Sequence, residues 1–323
     1  MTIAYAPAKI ILFGEHAVVY GRPAIAVPVT QLRARASVAT GKPGQGIIIV
    51  ASDLGRVLTM DEATSPLQAM VAGTLQYLKL GLDHDLTVTV ESAIPIARGL
   101  GSGAAVSTAM ARALAGYFSR PLAASEVSQL VYEVEKLYHG TPSGIDNTVI
   151  SYQRAVYFVR DRKPHTFQVG RPLVFLIADT GVESSTATVV NAVREAREES
   201  KDKYEVLFDR VGDVVVRARR AIQKGDLRET GLCMDENHRL LQIMGVSSPR
   251  LDSLVKAAKR MGALGAKLSG AGRGGNMIAL VTSQACQHVK AALEQEGAQG
   301  VIETVVDAST EPAPGPIREG ALT

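Results

Sequence analysis

Pro95-Ile-Ala-Arg-Gly-Leu-Gly-Ser-Gly-Ala-Ala-Val-Ser-Thr108 sets three glycines and a serine between two patterned runs. Before it, Leu86-Thr-Val-Thr-Val-Glu91 alternates as a strand does, and the alanine-rich run from Ala104 to Ala115 reads as a helix. A glycine-rich turn that feeds a helix start exposes unpaired backbone N–H groups, and the helix dipole adds about half a positive charge there. Glycine also lets the backbone approach an anion with no Cβ in the way. The loop suits a phosphate, but such turns also serve as plain tight connections, and the loop alone does not separate the two readings. It is not a Walker A sequence, since no Gly-Lys-Ser/Thr follows, and Gly99, Gly101 and Gly103 alternate strictly. A literal G-x-G-x-x-G occurs at Gly270-Ala-Gly-Arg-Gly-Gly275. The apolar, strand-like Asn276-Met-Ile-Ala-Leu-Val281 follows it, where a dinucleotide fingerprint opens a helix. A Rossmann reading fails on that context.

Around the loop the first half reads as strands with helices inserted. Ile3–Tyr5, Lys9–Phe13, Ala24–Val29 and Leu32–Thr40 are extended, Pro66–Leu80 and Ala123–Tyr138 are helical, and Ala155–Val159 is a short strand. The second half holds a strand at Leu173–Ala178 and helices at Ser185–Lys201, Tyr204–Lys224, Asp226–Met244 and Pro249–Gly262. A strand at Asn276–Val281, a helix at Gln284–Glu296 and a strand at Gly300–Val306 close it. Clustered strands indicate an α+β chain with mixed or antiparallel sheets. With 323 residues it divides into two domains, 1–168 and 169–307, broken where Lys163-Pro-His and Gly170-Arg-Pro172 interrupt the pattern. Residues 308–323, with Pro312, Pro314 and Pro316, read as a disordered tail.

The net charge of +3 is small, and no dense Lys/Arg block with interleaved aromatics occurs, so nucleic acid is not implied. The two cysteines, Cys233 and Cys286, lack metal-ligand spacing and read as reduced thiols. No run approaches the length of a membrane span, and a cytoplasmic protein is expected.

Three residues stand out chemically. Val127, Val131 and Glu135 are spaced by four, so Glu135 continues an apolar stripe towards the core, where a carboxylate needs a partner such as a hard cation. The alternative is a solvated residue at the stripe's edge. Asp146 follows the turns of Tyr138-His-Gly-Thr-Pro-Ser-Gly-Ile-Asp146, either as a helix cap or as a carboxylate that orients or deprotonates a hydroxyl. Lys9 sits in a strand among apolar neighbours. If it points inward it must pair with an anion, an aspartate or a phosphate.

These segments carry a family resemblance. Ala6-Pro-Ala-Lys-Ile-Ile-Leu-Phe-Gly-Glu-His-Ala-Val-Val-Tyr-Gly21 and His139-Gly-Thr-Pro-Ser-Gly-Ile-Asp-Asn147 resemble signatures of the mevalonate kinases. Pro95-x-x-x-Gly-Leu-Gly-Ser-Gly-Ala105 and Lys267-Leu-Ser-Gly-Ala-Gly-Arg-Gly-Gly-Asn276 are similar to the phosphate loop and the C-terminal glycine motif of the wider galactokinase, homoserine kinase, mevalonate kinase and phosphomevalonate kinase (GHMP) superfamily. The four windows cover about a fifth of the chain, and their order fits its full length.

The resemblance implies a two-domain kinase, with an N-terminal ribosomal-protein-S5-like domain and a C-terminal, helix-rich ferredoxin-like domain. It implies ATP-dependent phosphorylation of the primary hydroxyl of mevalonate, with Mg²⁺ and as a homodimer. Asp146 matches the family's catalytic aspartate, Lys9 the lysine paired with it, and Glu135 the magnesium ligand. Glu15, His16 and Thr186 fall where the family contacts mevalonate. Arg98, Gly99, Leu100, Gly101, Ser102, Gly103 and Ala104 would hold the phosphates, and Ser269, Gly270, Ala271 and Gly272 would close the site. Two departures stand out. Gly103 replaces the second of a serine pair, so either Ser102 or water substitutes or the metal is held differently, and Arg273 replaces a glycine, its guanidinium directed to phosphate or to solvent. The first and third windows weigh against a phosphomevalonate kinase. Lys9 and Asp146 together weigh against a 3-kinase, and with Glu135 they weigh against a non-catalytic ligand sensor.

Overall fold

The glycine loop does join a strand to a helix. The computed structural model describes residues 1–61, 65–95, 98–139, 142–307 and 317–318. Its elements are β1 (Thr2–Phe13), β2 (Ala24–Thr40), β3 (Ile47–Ala51), β4 (Arg56–Thr59), α1 (Pro66–Tyr77), β5 (Leu86–Ser92), α2 (Ser102–Tyr117), α3 (Ala124–His139), α4 (Ile145–Tyr152), β6 (Val156–Phe158) and β7 (His165–Thr166). There follow β8 (Leu173–Asp179), α5 (Thr186–Glu199), α6 (Lys201–Lys224), α7 (Leu227–Ile243), α8 (Pro249–Arg260), β9 (Gly265–Ser269), β10 (Asn276–Val281), α9 (Ser283–Gln295), β11 (Gly300–Val306) and β12 (Ile317–Arg318).

The first sheet runs β12-β1-β2-β5-β3-β4, with β6 on β2 and β7 on β6. Only the β3–β5 pairing among these is parallel, so the sheet is mixed. Helix α2 lies across β1 and β2 and is itself flanked by α1, α3 and α4. Its sequence permits this close seat. Ala104, Ala105, Ala109, Ala111, Ala113 and Ala115 are all buried, and small side chains bring the helix axis near the sheet.

The second sheet runs β11-β8-β10-β9, antiparallel throughout. In chain order that is 4-1-3-2, the ferredoxin-like arrangement, with four helices inserted between its first two strands. The chain leaves the first sheet after Thr166 and enters the second at Leu173. Among the described residues no helix is long and apolar enough to cross a membrane.

Several expectations are corrected. The strands expected at Ile3–Tyr5 and Lys9–Phe13 are one strand, because a register shift between Pro7 and Ala8 absorbs the proline that breaks the pattern. The two strands expected within 24–40 likewise merge into β2. Strands β3 and β4 occupy residues for which no element was expected. Of the tail, 308–316 and 319–323 lie outside the described residues, whereas Ile317 and Arg318 pair with Ile3 and Thr2 on the edge of the first sheet and are not disordered.

Candidate active site

Lys9 points inward. Its neighbours Ala8 and Ile10 are fully buried, and its ammonium lies 2.9 Å from Asp146 Oδ1. The pair is lopsided, for the lysine side chain is 4% exposed and the aspartate 31%, so the charge is buried on one side and open on the other. The backbone N–H of Lys9 donates to the Leu100 carbonyl at 3.0 Å, which ties β1 to the glycine loop. Gly101 makes the approach possible. It has φ +75°, and a Cβ there would lie 2.9 Å from Ile150 Cδ1 and 3.0 Å from Lys9 Cγ.

Asp146 stands in the first turn of α4, after Gly144 in the left-handed conformation at the cap. Free N–H groups and the helix dipole favour a carboxylate there. No helix was expected over Ile145–Tyr152, a run of β-branched residues. Packing overrides that preference, since Ile145, Val149 and Ile150 are buried and Asn147 Nδ2 donates to the Ser128 carbonyl of α3 at 3.0 Å. Gly140 and Thr141, quoted in this motif, lie outside the described residues, as do Ile96 and Ala97 of the glycine loop.

Glu135 projects from α3 near this pair, half-buried. Burial, and then the charge of Asp146, push its carboxyl up to about 8, with Lys9 opposing. A carboxyl so placed holds a proton until a cation replaces it. Ser102 opens α2, and its hydroxyl donates to the Ile94 carbonyl at 3.4 Å. A Cβ at Gly99 or Gly103 would meet nothing within 4 Å, so the loop presents open backbone at both positions. Leu100 and Ala104 are buried and anchor it. A cavity of about 460 Å³ lies where β5 runs towards the loop, lined by Arg33, Arg35, Ser52, Asp53, Glu91, Ser92 and Ala93.

The second domain grips the loop. Arg98 Nε lies 3.2 Å from Asp179 Oδ2 at the end of β8, and Asn276 Nδ2 donates to the Arg98 carbonyl at 2.5 Å. Arg98 Nη1 is buried and meets no hydrogen-bond partner among the described residues.

A second cluster joins β1 and the segment after it to β9 and the turn that follows. Ser269 Oγ donates to the Ile11 carbonyl at 2.9 Å, and the Gly14 N–H donates to Asn237 Oδ1 at 3.3 Å. His16 Nε2 lies 2.8 Å from the Ala271 carbonyl. Burial lowers the imidazole to about 4, so the ring is neutral and donates through Nε2, leaving Nδ1 as an acceptor. Glu15 pairs with Lys267 Nζ, and both are buried. Burial raises the Glu15 carboxyl, opposed by Lys267, and lowers the Lys267 ammonium, opposed by Glu15. Gly272 must be glycine, because a Cβ would fall 2.0 Å from the Val246 carbonyl oxygen. Arg273 is exposed, and its Nε donates to the Gly245 carbonyl at 3.3 Å.

Thr186 is exposed in the first turn of α5, and among the described residues no hydrogen bond joins it to this cluster. Its loop is nevertheless tethered, since Ser184 Oγ donates to the Gly272 carbonyl at 2.6 Å. The sequence reading missed Lys267, Asp179 and Asn276 as site residues. For Lys267 the signal was present, a lysine between Ala266 and Leu268, as for Lys9 between Ala8 and Ile10. It went unused because Gly265-Ala-Lys-Leu-Ser269 has no β-branched residue to announce a strand.

The GHMP kinases N terminal domain matches residues 69–154 and the GHMP kinases C terminal domain residues 218–299. The mevalonate kinase of Thermococcus sibiricus is 34% identical, over 94% of this chain and 96% of its own. That of Aeropyrum pernix is also 34% identical, over 92% and 97%. Among solved structures, L. major mevalonate kinase in complex with R-mevalonate superposes with a TM-score of 0.82 at 30% identity, covering 96% of this chain and 97% of the other. The Methanococcus jannaschii mevalonate kinase gives 0.83 at 28% identity, covering 94% and 98%. Identity of this degree, sustained over nearly the whole length and across both kinase domains, shows that the chain belongs to the mevalonate kinase family.

Proposed function

We propose that the protein transfers the γ-phosphoryl group of ATP to the primary hydroxyl of mevalonate, giving 5-phosphomevalonate and ADP. The observation that carries the chemistry is the lopsided Lys9–Asp146 pair at 2.9 Å, set against a glycine loop at a helix start. Kinship with enzymes named as mevalonate kinases supports the acceptor.

Asp146, the more open partner, accepts the hydroxyl proton as the new O–P bond forms and the bond to the ADP oxygen breaks. Lys9 compensates the carboxylate's charge and stabilises the oxygen as negative charge gathers on it. The backbone of Gly99–Gly103 receives the phosphates, with Arg98 Nη1 available as a further donor. The cavity at the end of β5 is open to the rest of the nucleotide, since the same strand leads into the loop. Glu15 and His16 belong to the acceptor side, and Thr186, exposed in the first turn of α5, follows the loop that Ser184 tethers.

The residues fit a magnesium ion. Glu135 carries a buried carboxyl whose upward shift Lys9 only partly offsets, and the Ser102 hydroxyl makes a long hydrogen bond to the Ile94 carbonyl. Among the described residues no group of three or more acidic, His or Cys side chains converges, which suits an ion that takes most of its ligands from phosphates and water. Bound there, Mg²⁺ would neutralise charge on the phosphates. The buried thiols of Cys233 and Cys286 support a reducing, cytoplasmic setting.

A coupled ADP-release assay with ATP and Mg²⁺, offering mevalonate, phosphomevalonate, homoserine and galactose in parallel, tests the reading. Turnover on mevalonate alone, with the 5-phosphate seen by phosphorus NMR, is expected. Turnover only on another alcohol overturns the acceptor and leaves the nucleotide half intact. Sedimentation of the same preparation tests the expected homodimer.

A further inference from the structure

Lys267 is 0% exposed, and removing an ammonium from water costs several kcal/mol unless a partner compensates. Its partner is Glu15, which lies in the first domain 252 residues earlier in the chain. Stability alone does not require the ion pair. Backbone N–H groups of Glu15 and Gly270 support the carboxyl, yet a well-packed apolar pair of similar volume is often as stable as a buried ion pair or more so.

The next residue shows what the pair is for. His16 has φ +62°, a left-handed conformation that strains a non-glycine residue. Such a conformation persists only where the surroundings determine it more than once. Here they do so on both sides. Lys267 holds Glu15, the Ala271 carbonyl holds the His16 ring, and Asn237 holds the Gly14 N–H. All three contacts come from the second domain. Burial keeps the ring neutral, and its bond to the Ala271 carbonyl leaves Nδ1 as an acceptor.

We infer that Lys267 is a positioning residue for the acceptor alcohol: its buried ammonium, acting through Glu15, holds His16 in the left-handed turn that presents the imidazole to the substrate hydroxyls. The inference rests on the acceptor reading given above. The second domain then takes part in acceptor recognition without Lys267 itself touching the acceptor.

The test uses the full-length protein and three variants, Lys267→Met, Glu15→Gln and Glu15→Gln/Lys267→Met. Each is measured for kcat and for KM towards ATP and towards whichever alcohol the wild type phosphorylates. In Lys267→Met the KM for the alcohol is expected to rise about 10- to 100-fold, while the KM for ATP stays within about twofold. The double variant removes both charges and is expected to melt no lower than the wild type, yet to show an acceptor defect no larger than that of the worse single variant. If Lys267→Met fails to fold, the double variant decides. A double variant with the wild-type KM for the alcohol overturns the inference. So does a Lys267→Met variant that loses activity only in proportion to its folded fraction, with both KM values unchanged. A wild type inert towards mevalonate but active on another alcohol defeats the acceptor reading instead, and the variants are then judged on that alcohol.

Discussion

Among the described residues, two carboxylates pair with a buried lysine, and these two pairs look alike on paper and behave oppositely. In Lys9–Asp146 the lysine is buried and the carboxylate is 31% exposed, whereas in Lys267–Glu15 the side chains are 0% and 1% exposed. The first pair lies within one domain, at a strand and a helix start; the second spans two domains. An ion pair with one open face can change partners during a reaction, because solvent or substrate can take over part of its solvation. A closed pair cannot, and its charges serve only to fix geometry. Burial of the carboxylate, more than the presence of the pair, separates chemistry from architecture here.

The comparison breaks most sharply at Asp146. Asp146→Asn keeps the volume and loses the proton acceptor, so kcat is expected to fall about 10²- to 10⁴-fold. ADP affinity by calorimetry and the melting temperature should stay at wild-type values. A melting temperature that falls with the activity would show that this pair, too, is architectural.

The closed pair should give the reverse result. Glu15→Ala strands the Lys267 ammonium inside the protein, with an expected loss of about 3–5 kcal/mol of stability in urea titrations. A loss within about 0.5 kcal/mol, the range of ordinary surface changes, would mean that water reaches Lys267 after all.

Titration sharpens the contrast between the two neighbourhoods, because their single groups shift in opposite senses. His16 has a folded value near 4, below its ordinary 6.5, so the unfolded chain binds the proton first and stability is lost as pH falls from 6.5 to 4. The size is on the order of 3 kcal/mol, and His16→Asn should remove it. Glu135 has a folded value near 8, above its ordinary 4.5, so the folded chain holds the proton longer. Without nucleotide or metal, the Glu135 contribution should therefore fall as pH rises from 4.5 to 8; His16 offsets it up to about 6.5, so the net decline is expected from 6.5 to 8, and Glu135→Gln should flatten that limb. Melting curves across the range read both, and an apo protein whose stability does not change from pH 5 to 8 would sink the Glu135 argument.

The smallest effect is expected at Arg273. It occupies a left-handed position at φ +57°, and its guanidinium goes to the Gly245 carbonyl instead of a phosphate site. Arg273→Gly should leave kcat/KM within about twofold and change stability by no more than about 1 kcal/mol, strain relief offsetting the lost hydrogen bond. A larger loss of ATP affinity would place the side chain on the nucleotide.

Much of this was legible in the sequence, and the failures have physical causes. The phosphate loop, its strand and its helix follow from glycine placement and periodicity. Glu135 was legible because a charge broke an apolar stripe, and Lys9 because a charge broke an apolar strand. Helix α4 was not legible, since Ile145-Asp-Asn-Thr-Val-Ile-Ser-Tyr152 favours a strand locally and is helical only through what it packs against. The continuity of β1 and β2 was obscured in their middles, where the register shift between Pro7 and Ala8, opposite Val29 and Arg33, interrupts the alternation. Lys267 failed for a related reason. Its strand is defined by hydrogen bonds to β10 and not by its own composition, and its partner is far away in sequence.

Gly101 has one more consequence. Because its bare Cα rests against the aliphatic stem of Lys9, and Lys9's own amide is bonded to Leu100, the loop cannot shift without moving the lysine. Nucleotide and acceptor are therefore expected to bind as coupled events. If occupancy of the loop stiffens Lys9 and makes the acceptor bind more tightly, thermodynamic reciprocity requires the acceptor to tighten the nucleotide by the same factor. The two dissociation constants form a closed cycle, and its coupling passes through a contact that a single added methyl group would disturb.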